Sequence, residues 1–491
     1  MSLNSFCSIV STLYPPRRGC LKVDNGMWSS ILEQIYLKQD MSSISSSIKS
    51  ENEVCPISCV ADVPICSNCT DKSYENQQVV KSATGDYRVY TKCSKKEFEI
   101  MSQIIKDASF GQINNKPSGF SLLDVGAATG HLFKKLVSSE VAVIPSHYVA
   151  FEPDPDAWTD LSHVLHSDSC PVPSFEIKKE FFSTSTSVEE AGGPFDIVLL
   201  SHVLYGFTAE DTVEIFKHSL HFVAPGGILL VFHHWKPNNN GKLDVLMNYL
   251  HDQNMMFYRK VHSVELDTSK LTSDETLRVE KYTGCTSGGY PYINRKIGVL
   301  AIEPSNCHVS LGKELHHLTQ ELKVSYCARS IVPADVCTPN SVVGIQACIQ
   351  AAAEKRYGFD SISVIGGGHS ANCLAKNALA INMHNWKRVG VRPTEMVVCV
   401  GGGATCGEVV HEAEKSGLLV PLGDRPGVGA GLILQGGINH FMRKFGLAID
   451  NILRVVYVSP TGELLIAEKE QELMQFRGAG PHSAHINSEK S

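Results

Sequence analysis

At 491 residues the chain is too long for one hydrophobic core and has room for about three domains of roughly 100–200 residues each. Hydrophobic residues make up 43% and charged residues 19%, the balance of an ordinary globular protein. The net charge is −7 with no dense Lys/Arg block, which argues against nucleic acid or an anionic membrane as the main partner, and no apolar run reaches the ~18 residues that cross a bilayer.

Residues 1–84 read as irregular. Phe6 to Leu13 is a short apolar stretch, interrupted by serines and followed by Pro15-Pro16-Arg17-Arg18, and is not read as a secretory signal. Trp28 to Gln39 fits one short amphipathic helix, and the serine-dense run Ser42 to Ser50 a linker. Four cysteines follow, Cys55, Cys59, Cys66 and Cys69. The last two have the spacing that lets two thiolates reach one zinc ion, but the pairs lie only six residues apart with no histidine near, so incidental thiols are favoured over a metal. The 16 cysteines of the chain form no compact framework. Cys348, Cys399 and Cys406 lie in apolar runs as small hydrophobes, which suits a reducing compartment, and the cytoplasm is expected.

From residue 85 to 304, apolar strands alternate with helical stretches. Helices are predicted over 98–108, 131–137 and 209–220. Strands are predicted over 121–125, 147–152, 195–201, 228–233 and 296–302. Alternation of this kind predicts an α/β domain with a parallel sheet covered on both faces. A connecting helix is expected between residues 304 and 326. The last third is glycine-dense. Helices are predicted over 341–357 and 408–416, and strands before Gly366 and over 378–382, 396–401 and 452–458. A polar tail closes the chain from Pro481 to Ser491.

Two groups of glycine loops carry the chemistry. The first runs from Leu122 to His131, between a strand and a helix, with Asp124, Gly126, Ala128 and Gly130 at alternate positions. Glycine lets the backbone approach a ligand where a Cβ would clash. The next strand ends in Glu152, a carboxylate able to accept hydrogen bonds from two ribose hydroxyls. His202, Tyr205, His233 and His234 fall at or after strand C-terminal ends, where substrate belongs in an open parallel sheet. Such residues either carry protons or cap helices and fill the core; His202 and Tyr205 are the catalytic candidates.

Residues 85–304 resemble the class I S-adenosylmethionine-dependent methyltransferases. The likeness rests on the Leu122–His131 loop, Glu152, the run Phe195 to Tyr205 and the turn Pro225-Gly226-Gly227. Ser201 to Tyr205 is also similar to the small-amine methyltransferases of the histamine N-methyltransferase kind. Ala128 stands where the family loop has its central glycine. The resemblance implies a Rossmann-like fold and in-line transfer of a methyl group to a small molecule, with the protein supplying proximity and orientation.

The second group begins with Gly366, Gly367, Gly368, His369 and Ser370, consecutive N–H donors that can cradle a phosphate. It continues with Arg425, Pro426, Gly427, Gly429, Gly431, Gly436 and Gly437. Two such loops can enclose a pyrophosphate. In order, Ile331-Val332-Pro333, Gly366 to Ser370, Gly401 to Ala404, Gly427 to Gly437, Arg443 to Asn451 and Arg477 to Gly480 resemble the PCMH-type FAD-binding domain, an α+β unit, of berberine bridge enzyme-like oxidases. The resemblance covers 326–483 and implies FAD held by both loops and Asp450, either with a covalent link through His369 or without one. Arg425 replaces the cysteine that makes a second link in some members, so a bicovalent flavin is not expected and Arg425 is free to offset pyrophosphate charge.

Family members continue into a substrate domain, whereas this chain ends at Ser491. A truncated product, completion by a partner chain, or loss of oxidation are the three expectations. The leading reading is a methyltransferase fused to an FAD-linked oxidoreductase domain. The alternatives are a methyltransferase with a vestigial flavin unit, and a non-enzymatic cofactor-binding scaffold. Retained Glu152 and His369 favour working sites.

Overall fold

The computed structural model describes residues 7–13, 77–115, 119–138, 144–167, 170–235, 241–305, 309, 319, 321–359 and 361–477. The expected helix at 28–39, the serine run, Cys55, Cys59, Cys66, Cys69, the polar tail and most of the connecting helix lie outside these residues. Among the described residues no set of His, Cys, Asp or Glu side chains could hold a metal. None of their helices is long and apolar enough to cross a membrane.

The first half is built on seven strands: β2 (Ser121–Val125), β3 (His147–Phe151), β4 (Ser174–Lys178), β5 (Phe195–Ser201), β6 (Val223–His234), β7 (Tyr258–Asp267) and β8 (Tyr292–Ile302). Their order is β4-β3-β2-β5-β6-β8-β7. β4 to β6 run parallel. Their central members are apolar on both faces because helices cover both sides, and Leu122, Leu123, Ile197, Val198, Leu229 and Leu230 are all buried. The expectation of a wholly parallel sheet is corrected at one edge: β8 runs antiparallel to both β6 and β7. In β7, Tyr258, Val264 and Leu266 are buried while Arg259, Val261, Ser263 and Glu265 are exposed, the pattern of a strand packed on one face only.

Helices start where the sequence supplies caps. Asp154 accepts from the Asp156 N–H at 2.9 Å ahead of Pro155–Leu165, and Thr208 accepts from the Asp211 N–H at 3.1 Å ahead of Ala209–Leu220. The helix Lys95–Asn115 extends beyond its predicted span at both ends.

The second half holds a parallel sheet of three strands, β10-β11-β9: β9 (Asp335–Cys337), β10 (Ser361–Ile365) and β11 (Ala378–Asn382). Beside it is an antiparallel sheet of order β12-β13-β1-β14-β15. Its members are β1 (Cys7–Leu13), β12 (Val389–Arg392), β13 (Val397–Gly401), β14 (Ile452–Val458) and β15 (Leu464–Ala467). The short apolar stretch near the N-terminus is thus the central strand of this sheet. It pairs Val10 with Gly401 on one side and with Val456 on the other.

The halves share a core. The helix Val342–Ala353 is apolar almost all round and packs against β7 and β8 on one side and β10, β11 and β14 on the other. Its N-terminus receives Glu303 from the end of β8. This fully buried carboxylate accepts from the N–H groups of Asn340 and Ser341, both at 2.9 Å, and from the Ser341 hydroxyl at 2.5 Å. Gln350, on the same helix, bonds both main-chain groups of Arg259 on edge strand β7, at 2.7 and 3.0 Å.

Candidate cofactor and acceptor sites

The first glycine loop follows β2 as expected. Gly126, Ala128 and Gly130 all have positive φ (74°, 49° and 73°), so alanine at 128 occupies a left-handed position that favours glycine. A Cβ on Gly126 would collide with Val203, which lodges the turn after β5 directly against the loop.

Glu152 is buried. Its Oε2 accepts from the Ala128 N–H at 2.8 Å and its Oε1 from the Asp154 N–H at 2.9 Å. Each oxygen keeps a further lone pair for a ligand hydroxyl. Burial pushes its carboxyl up to about 7, against the lowering effect of the two amides. Asp124 is held at about 7 by burial as well. Its Oδ2 accepts from the Tyr148 hydroxyl at 2.9 Å, and its buried Oδ1 has no hydrogen-bond partner among the described residues. An orphaned carboxylate oxygen beside the loop fits a cationic ligand group such as an ammonium.

His202 and Tyr205 stand together after β5, His202 with φ 56°. The His202 Nδ1 lies 2.9 Å from the Tyr205 hydroxyl, and its Nε2 lies 3.0 Å from Oε1 of Glu97, a fully buried carboxylate on the helix Lys95–Asn115. Tyr90 donates to the other Glu97 oxygen. Arg295, from β8, donates to the Tyr90 oxygen at 3.1 Å and to the Tyr205 oxygen at 3.5 Å, with its Nε 3.7 Å from Glu97. Burial alone would raise the Glu97 carboxyl, but Arg295 and His202 outweigh it and hold it near 2. Glu97 is therefore an anion at neutral pH.

His233, at the end of β6, packs its ring 4.4 Å from that of Tyr205. Burial, reinforced by neighbouring positive groups, drops its imidazole to about 3 and keeps it neutral. His234 lies with its Nε2 3.8 Å from the Cys285 sulfur. Sequence reasoning missed Glu97, Tyr90 and Arg295. They arrive from a helix and an antiparallel strand rather than from the strand ends that the motif marks.

In the second half three glycine loops converge. A Cβ on Gly367 would strike the backbone of Gly429, and one on Gly366 would lie 2.9 Å from the Gly402 carbonyl oxygen. Gly368 has φ 66° and abuts the Lys323 carbonyl. The N–H groups of Gly367, Gly368, His369 and Ser370 find no acceptor among the described residues, which fits a nest awaiting an anion. His369 is exposed, and its Nε2 would meet a Cβ on Gly427 at 2.9 Å, so the histidine leans over the second loop. Arg425, Pro426 and Gly427 are exposed there. Gly431 and Gly436 border open space, and Gly437 (φ 71°) packs on Ala448. Asp450 is turned to structural use: it accepts from the Leu447 N–H at 2.8 Å and pairs with Arg477 at 2.7 Å.

Comparison with known proteins follows the same division. Residues 94–264 match the model of a methyltransferase domain, and residues 333–468 that of an FAD binding domain. The chain is 35% identical to (R)-6-hydroxynicotine oxidase of Paenarthrobacter nicotinovorans over 150 residues, 28% of this chain and 33% of that protein. It is 31% identical to an FAD-linked oxidoreductase of Dictyostelium discoideum over 195 residues, 38% of this chain and 43% of that protein. It is 31% identical to berberine bridge enzyme-like 21 of Arabidopsis thaliana over 140 residues, 27% of this chain and 25% of that protein. The chain thus spans 25–43% of the length of these relatives.

Proposed function

We propose, from a chain that joins a methyltransferase domain to a berberine bridge enzyme-like FAD-binding domain, that it transfers a methyl group to a small molecule in one half and supports FAD-linked oxidoreduction in the other. The observation that carries the first activity is the contact of Val203 with Gly126, which sets His202 and Tyr205 beside the cofactor loop. S-adenosylmethionine, when bound, supplies a methyl group already activated on a sulfonium. Glu152 would hold its ribose hydroxyls, Asp124 its ammonium, and the backbone from Gly126 through Ala128 to Gly130 its nucleoside. The protein's own task is to orient an acceptor and accept its proton.

In the flavin half, Gly366, Gly367, Gly368 and Ser370 with Gly427, Gly429, Gly431, Gly436 and Gly437 would hold FAD. Arg425, beside Pro426, would offset the pyrophosphate charge, and His369, which is exposed, would be the residue to form any covalent link. A cytoplasmic site of action accords with the intracellular supply of S-adenosylmethionine. A second reading, a methyltransferase whose flavin half only binds or stabilises, is favoured by one observation: Asp450 has both carboxylate oxygens engaged within the chain.

Purification tests both readings. Yellow protein whose colour stays with the acid precipitate, and is lost in His369→Ala, supports a covalent flavin; colour released by acid removes the covalent link. Colourless protein that binds S-adenosylmethionine by calorimetry leaves the second reading. Colourless protein that binds no S-adenosylmethionine defeats both.

A further inference from the structure

The helix Gln77–Cys93 carries no motif, yet it is tied to both sides of the first cradle. On one side Arg88 donates to the Asp156 carbonyl at 3.0 Å and pairs with Asp160 at 2.9 Å. Both partners lie on the helix Pro155–Leu165, which starts three residues after Glu152 and abuts the glycine loop, where a Cβ on Gly130 would strike Leu161. On the other side Asp86 pairs with Arg278 at 2.8 Å and Lys92 with Glu275 at 2.5 Å, both on the helix Ser273–Thr283. Between these ties Val89 and Tyr90 are buried, and the rings of Tyr90 and Tyr87 pack 5.2 and 6.4 Å from that of Tyr282. Burial raises the Tyr87 hydroxyl well above the ordinary tyrosine value. Tyr282, Asp124, Glu97 and Glu152 add to it, so this hydroxyl feels both cofactor carboxylates.

The atoms beneath are left unpaired. Ser94 Oγ, Glu97 Oε1, Asp124 Oδ1, His202 Nε2 and Arg295 Nε are buried with no hydrogen-bond partner among the described residues. Closing the helix over an empty cradle withdraws these atoms from water and gives them nothing in return, which costs free energy at each. Burial of Val89, Tyr90 and Cys93 and the Tyr90–Glu97 hydrogen bond work the other way. The three rim ion pairs add little, because their side chains are 22–57% exposed and salt screens them. The joint at the end of the helix is a single residue. Ser94 alone separates it from the helix Lys95–Asn115, whose first turn is fixed by buried Glu97 and by Phe98, 6.0 Å from the His131 ring.

We infer that the helix Gln77–Cys93 is a strap that hinges at Ser94, lifts to admit S-adenosylmethionine and closes over it, with Asp86, Arg88 and Lys92 as its latch. This rests on the methyl-transfer reading above. With the strap lifted, water reaches the unpaired atoms. With it closed on ligand, Asp124 Oδ1 gains the ammonium as a partner, and Tyr87 and Tyr90 wall the site from water. Ligand therefore favours the closed form, and weakening the latch favours the open one.

The test follows S-adenosylhomocysteine, which carries no net charge, as it binds the full chain in stopped-flow fluorescence. Steering by the charge of the protein is then minimal, so a salt effect on the association rate reports the latch. We expect that rate to rise about threefold or more between about 0.05 and 0.5 M sodium chloride. Asp86→Asn, Arg88→Gln and Lys92→Gln combined, all at exposed rim groups, should start at the faster rate and lose the salt effect. Ser94→Ala, which removes an unpaired hydroxyl from beneath the closed strap, should act with the opposite sign and slow association. Hydrogen exchange at amides of residues 87–93 should slow about tenfold or more with ligand bound, while amides of β14 stay unchanged. A wild-type rate indifferent to salt, a latch variant no faster than wild type, Ser94→Ala faster than wild type, or exchange at 87–93 indifferent to ligand overturns the inference. Calorimetry separates the two levels. Wild type that binds neither S-adenosylmethionine nor S-adenosylhomocysteine defeats the methyl-transfer reading, whereas intact binding with any contrary result above defeats the strap alone.

Discussion

Single atoms decide whether the flavin loops can meet. Gly367 and Gly429 touch backbone to backbone, with no volume for a methyl group between them. Gly367→Ala is therefore expected to push the loops apart at a cost of about 1–3 kcal/mol. Flavin retention, read as absorbance per mole of protein, should fall with it. Gly390→Ala, outside the loops and with its Cβ only in ordinary contact with Cys399 at 3.9 Å, serves as the control and should retain flavin. At this scale the candidate sites were partly legible. His202 and Tyr205 follow a buried strand ending in a short motif, and Glu152 ends the next strand after the glycine loop. Glu97 was not legible. It sits among Lys95, Lys96 and Glu99, a pattern that reads as a solvated helix face, and only its approach to Arg295 and His202 reveals a buried anion.

At the scale of elements, the segment with the faintest sequence signal takes the most consequential place. β1 separates β13 from β14, pairing with β13 at four positions and with β14 at six. Without it the antiparallel sheet becomes two ribbons with open edges, and two-stranded ribbons are marginal in water. Deleting residues 1–13 is expected to abolish hydrogen-exchange protection at amides of β13 and β14, such as Val398 and Val455, while amides of β2 and β5 stay protected. Equal protection of β13 and β14 in the deletion would show that the strand is dispensable. The elements of the first half were easier to read because strands and helices alternate there in consecutive segments, although neighbours in the sheet are not always neighbours in the chain. The antiparallel strands β7 and β8 escaped in part: the alternation in Tyr258–Asp267 was present, but the expected strand–helix rhythm had no place for it.

At the scale of the whole molecule, one core joins the halves through the helix Val342–Ala353, and buried ionisable groups set its response to pH. Asp124 and Glu152, raised to about 7, hold protons in the folded state that the unfolded chain releases above about 4.5. They therefore stabilise the fold as pH falls from 7. His233, depressed to about 3, opposes them, because the unfolded chain takes its proton below about 6.5. Asp107, raised to about 6, sides with the two carboxyls, whereas His262, lowered to about 4, and His131, His251 and His384, lowered by burial, side with His233. Between about 6.5 and 4.5 the two sets of groups oppose each other. Below about 4 only the destabilising side remains: Glu97, depressed to about 2, and His233 then bind protons chiefly in the unfolded chain. Ligand-free protein is expected to lose stability steeply as the pH falls from about 4 towards 2. A melting temperature unchanged over that range would refute this assignment of buried charges.

The residues alone sufficed for the two glycine-loop systems, the strand–helix alternation of the first half and the order of the flavin motifs, because each is written in consecutive residues and obeys local backbone sterics. Folding in three dimensions settled what joins distant segments: the N-terminal strand inside the flavin-type sheet, the shared helix capped by Glu303, and the cluster of Glu97, Tyr90, Arg295, His202 and Tyr205. Such contacts depend on which apolar faces bury against each other and which charges are thereby removed from water, and no local pattern in the chain records that choice.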